Sequence, residues 1–67
     1  MKVKDFVDHM NDHGTKSRIR VLVEHDDDMM LLVFEGRPVY LDAETLKLKI
    51  NSFTILGEGL VEIYAKK

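Results

Sequence analysis

The sequence predicts a small α+β domain of two layers. An N-terminal helix lies on a four-stranded, mainly antiparallel sheet, in the order α-β-β-(short α)-β-β. Three observations predict it. Apolar residues near the start recur at helical spacing. Four later runs have strand character, three of them with period-two alternation. Polar or glycine-bearing clusters separate these runs. A chain of 67 residues makes one domain, residues 1–67.

Each element has its own local cause. Val3, Phe6, Val7 and Met10 form one apolar stripe, with Lys4, Asp5, Asp8, Asn11 and Asp12 on the other side, so a helix is expected over 3–12. Gly14 ends it, since glycine takes the left-handed conformation without penalty. In "RIRVLVEH", Ile19, Val21 and Val23 alternate with Arg18, Arg20, Leu22 and Glu24, which predicts a strand. "DDD" is a hairpin loop, because aspartate side chains bond local backbone amides. "MMLLVFEG" is the second strand, broken by Gly36 and Pro38. Asp42 is a suitable N-cap for one or two helical turns over 42–48, with Glu44 favouring the dipole. "KINSFTIL" is the third strand, with Ile50, Ser52, Thr54 and Leu56 against Asn51, Phe53 and Ile55. "GEG" supplies a turn with glycines suited to positive φ. In the fourth strand, "LVEIYAK", Val61, Ile63 and Ala65 face away from Leu60, Glu62, Tyr64 and Lys66.

The second strand differs from its neighbours. Met29 to Phe34 are all apolar. If Met30, Leu32 and Phe34 pack beneath the helix, then Met29, Leu31 and Val33 need a second cover. Either the strand is central and enclosed, or another copy of the chain covers it. Large contiguous apolar areas are rare on soluble monomers, and methionine is an adaptable contact residue. Met29, Leu31 and Val33 are therefore candidate self-association residues, and a homo-oligomer, dimer or higher, is expected.

Composition narrows the function classes. Charged residues are 33% and hydrophobics 45%, the balance of a folded chain. A chain this short buries only about 60% of its unfolded surface, so packing and self-association are the available staples. Cysteine is absent, which removes disulfides, thiolate metal sites and cysteine nucleophiles. Net charge is −2, with no global pull towards nucleic acid or anionic membrane. The charged N-terminus has no signal-peptide core, and six apolar residues in a row cannot cross a bilayer. A cytoplasmic protein without a membrane partner is expected.

No motif announces chemistry. Glu24 to Asp28 hold four carboxylates and His25, yet a calcium loop needs alternate spacing, a glycine and a distant glutamate. His9 and His13 are four apart, as in zinc pairs, but Met10 stands where a metalloprotease has glutamate. A weak adventitious site for zinc or nickel is the most this pair offers, and no metal or other cofactor is expected. Nucleophile-elbow, metalloprotease and phosphate-loop patterns are missing, so the protein is expected not to be an enzyme. Arg18, Arg20, Arg37 and Lys49 are candidate nucleic-acid contacts. In an antiparallel sheet they could form one positive edge opposite Asp26 to Asp28, with Tyr40, Phe53 or Tyr64 available for stacking.

The pattern "MKVKDFVDHM", "RIRVLVEHDDD", "LVFEG" and "INSFTILGEGLVEIYAKK" resembles a family of short, largely uncharacterised proteins. They occur in phages, integrative elements and gut genomes of Gram-positive bacteria. The likeness spans nearly the whole chain and rests on apolar pattern and glycines. The chain is more distantly similar to small phage-borne anti-CRISPR proteins with a strand-rich, oligomeric fold that acts on DNA. The resemblance implies a mobile-element origin and a binding role, with no functional residue carried over. The expected function is thus a non-catalytic, self-associating interaction module. The alternative is a nucleic-acid-binding accessory or defence-inhibitor protein.

Overall fold

The computed structural model describes residues 1–9, 18–26, 29–57 and 59–67. The elements run α1 (Val3–His9), β1 (Arg18–Glu24), β2 (Met30–Gly36), a 3₁₀ turn (Pro38–Tyr40), α2 (Ala43–Leu46), β3 (Lys49–Gly57) and β4 (Leu60–Lys66). The expected end of the first helix, 10–12 and Gly14, lies outside the described residues.

The four strands form one sheet in the order β2-β1-β4-β3. β1–β2 and β3–β4 are antiparallel hairpins. The central pair, β1 with β4, is parallel, so the sheet is mixed. The chain leaves one edge at β2 and re-enters at the other edge, β3, through the 3₁₀ turn and α2. Asp42 caps α2 by accepting from the Thr45 N–H at 3.4 Å. The β3–β4 turn has glycine at φ 92° (Gly57) and 78° (Gly59), the left-handed region glycine enters freely.

Val3, Ile19, Val21, Val23, Ile63 and Ala65 are buried together, ringed by Phe6, Val7, Phe34, Leu41, Leu46, Leu48, Ile50 and Val61. The alternation in β1 and β4 thus translates into one covered face. α1 and α2 both lie on it and touch each other. The Phe6 ring meets Phe53 at 4.9 Å between centroids, tilted by 58°, a favoured aromatic arrangement. The N-terminus is tied to the outer edge of β3. Lys2 bridges Lys49, Val3 N–H donates to Leu48 O at 2.8 Å and Ile50 N–H to Met1 O at 2.8 Å.

Two face assignments are corrected by β-bulges. Val21 is opposite Phe34 but Leu22 is opposite Leu32, so Val33 is an extra residue. Directly opposed residues share a face. Phe34 and Leu31 therefore lie on the covered side, while Leu32 and Met30 lie on the open side with Leu22 and Glu24. The expected set of Met30, Leu32 and Phe34 is split. In β3 the register shifts between Ile50 and Ser52, which places Ile50, Phe53 and Ile55 on the covered side. Each bulge inverts the alternation beyond it, and hydropathy alternation alone does not reveal one.

Candidate interaction surface

β2 is an edge strand. Its residues Met30, Leu31, Leu32 and Val33, and Met29 just before it, are between 38% and 56% exposed. The structure therefore rejects an enclosed central position for this strand. The self-association candidates Met29, Leu31 and Val33 are all exposed, though not as one face of a strand. Leu31 leans to the helix side, Val33 sits in the bulge and Met29 precedes the strand. Among the described residues, what lacks a partner is an edge. One row of β2 backbone groups faces away from β1, flanked by apolar side chains on both sides.

β3, the opposite edge, also exposes Phe53, Ile55 and Leu56. It is a poorer template for another strand. Met1 to Val3 already occupy its start, and the ladder shifts between Ile50 and Ser52 and between Ile55 and Gly57. Bulges and covering segments are the ordinary devices that blunt sheet edges. β2 has one bulge and no charged side chain from Met29 to Phe34.

The four candidate nucleic-acid contacts are not brought together. Arg18 starts β1 beside the end of β2, so Arg37 lies at the same end of the sheet. Lys49 pairs with Lys66, and β4 runs parallel to β1 with Ala65 beside Val23. Lys49 and Lys66 therefore lie at the end of Glu24 and Asp26, not with the arginines. The single positive edge required an antiparallel central pair, and the parallel pairing removes it. Arg20 is engaged elsewhere. Its Nη1 donates to Glu62 Oε2 at 3.2 Å, and Nη2 is 3.6 Å from Glu35 Oε2. Its Nε is buried and meets no acceptor among the described residues.

Tyr64 adds to this network by donating its hydroxyl to Glu62 Oε1. That bond, and then Arg20, holds the Glu62 carboxyl below its usual range against the opposing effect of burial. The same bond raises the Tyr64 phenol above its usual range. The row Glu35–Arg20–Glu62 crosses three strands of the open face. Its chemistry is that of a paired structural network.

His9 Nδ1 donates to the Asp5 carbonyl at 2.9 Å; His13 lies outside the described residues. His25 Nε2 is 3.6 Å from Asp26 Oδ2, both side chains well exposed. At this hairpin end His25 N–H donates to Met29 O at 2.9 Å, and Met29 N–H to Asp26 O at 2.8 Å; Asp27 and Asp28 lie outside the described residues. Among the described residues no three His, Asp or Glu side chains gather as a metal ion would require. A shallow apolar cavity of about 310 Å³ opens beside α1, lined by Met1, Phe6, His9 and Phe53. Among the described residues it is lined by one imidazole and no carboxylate. No helix among the described residues is long and apolar enough to cross a membrane.

Comparison with protein-family models, with curated proteins and with solved structures finds no match to this chain.

Proposed function

We propose that this protein is a non-catalytic interaction module that works by self-association through β2. The observation that carries this is the position of β2. A wholly apolar run from Met29 to Phe34 stands at a sheet edge that no other strand pairs among the described residues. Such an edge is a template for another strand unless it is blunted. Burying one Met, Leu or Val side chain contributes about 1.5–3 kcal/mol when complete, and these side chains are half exposed. A stable interface usually removes about 800 Å² per partner from water. A seven-residue strand spans about 23 Å at 3.3 Å per residue, and a contact one strand wide over that length buries well under that area. The expected association is therefore weak, with a Kd on the order of micromolar.

Light scattering across a concentration series tests this. The mass is expected to rise above 7.8 kDa through the micromolar range, and Leu31→Lys is expected to return it to one chain. A strict monomer at high micromolar concentration removes the proposal.

A further inference from the structure

The arrangement of the pair is also written in the molecule. Resting on the self-association proposed above, we infer that two copies pair β2 against β2 in antiparallel orientation about a two-fold axis. Their four-stranded sheets then merge into one continuous sheet with both helical layers on the same side.

Two features select this arrangement, and a third follows from it. The first is which edge is open. Head-to-tail assembly would lay β2 of one copy on β3 of the next. The start of β3 is already bridged by Lys2, and its ladder is interrupted twice. Pairing β2 with itself uses the freer edge of each copy. It also closes after two chains, whereas a head-to-tail contact that does not close on itself keeps adding copies.

The second feature is charge polarity along the strand. The start of β2 lies beside Glu24 and Asp26, both exposed. Its end lies beside Arg18 and Arg37, also exposed, while the Glu35 carboxylate at that end is paired with Arg20 at 3.6 Å. Between these ends runs the uncharged segment from Met29 to Phe34. An antiparallel pair brings the arginine end of each copy to the carboxylate end of the other. A parallel pair would set like charge on like, which opposes association.

The third feature is facing. A two-fold axis perpendicular to the sheet keeps each face with its own kind. Phe34 and Leu31 stay on the helical side in both copies, and Leu32 and Met30 stay on the open side beside Leu22. The bulge at Val33 shortens the regular ladder, in keeping with weak association.

Charge reversal tests the arrangement. Arg37→Glu and Asp26→Arg each create two like-charge contacts per pair by symmetry. Each is expected to weaken association by about fivefold, the modest effect of exposed ion pairs. The double variant D26R/R37E restores opposite charges and is expected to return to within about twofold of the wild type. Because the chain lacks cysteine, a second readout is clean. Leu32→Cys, near the strand centre, is expected to oxidise to a covalent dimer faster than Ser52→Cys on β3. Failure of the double variant to recover, a mass that climbs past two chains, or equal cross-linking at both positions overturns the antiparallel pair while leaving self-association standing. A monomer throughout overturns both.

Discussion

Arg20 is confined by its neighbours. It lies opposite Glu35 on β2 and Glu62 on β4, so three strands deliver one cation and two carboxylates to a single row. Tyr64, two residues beyond Glu62, reaches the same carboxylate. This network has a pH signature. The Glu62 carboxyl is held below its usual 4.5. Its contribution to stability is present above that value and is lost as pH falls through the lower, folded-state value. The Tyr64 phenol is raised above 10.0, so its contribution is present below that pH and is lost as pH rises through the raised value. Tyr64→Phe should therefore reduce the fall in Tm at both extremes, and Glu62→Gln should reduce it at the acid end and, by removing the charge that raises the phenol, at the alkaline end as well. Thermal melts from pH 3 to 11 check this; unchanged slopes in both variants would show that the hydrogen bond is not held in solution.

At the scale of elements, α2 is four residues long and could not persist alone. It is kept by its cap and by burial. Thr45 is buried and donates its N–H to Asp42, and Leu46 packs on the core rim. Asp42→Ala should lower the Tm by roughly 5 °C, a normal cost for losing an N-cap in a small domain. A change under one degree would mean that packing alone holds the turn. β2 presents the opposite situation, an element whose strand character is strong and whose surroundings are incomplete. Its apolar run was legible in the sequence. Its edge position was not, because strand order is decided by which hairpin docks beside which.

At the scale of the molecule, six apolar side chains among the described residues form the buried core, little reserve for a 67-residue chain. Association would add to it by mass action. The Tm is therefore expected to climb by a few degrees between low and high micromolar protein, and Leu31→Lys should remove the climb. Differential scanning fluorimetry over a concentration series reads this; a Tm independent of concentration would separate stability from self-association.

Local order was readable in advance wherever the cause is local. The limits of β4, the alternation in β1, the Asp42 cap and the glycine-flanked turn follow from side-chain period and backbone preference within a few residues. The bulges at Val33 and Asn51, the parallel central pair and the separation of Lys49 from Arg18 and Arg37 do not. Each depends on the register between segments far apart in the chain, set when two hairpins bury Ile19, Val21, Val23, Ile63 and Ala65 beneath the helices. The order of elements and the greasy second strand belong to the sequence by itself. That this strand stands at an open edge was decided only by tertiary packing, because burial of the core selects which strands meet and which remain without a neighbour.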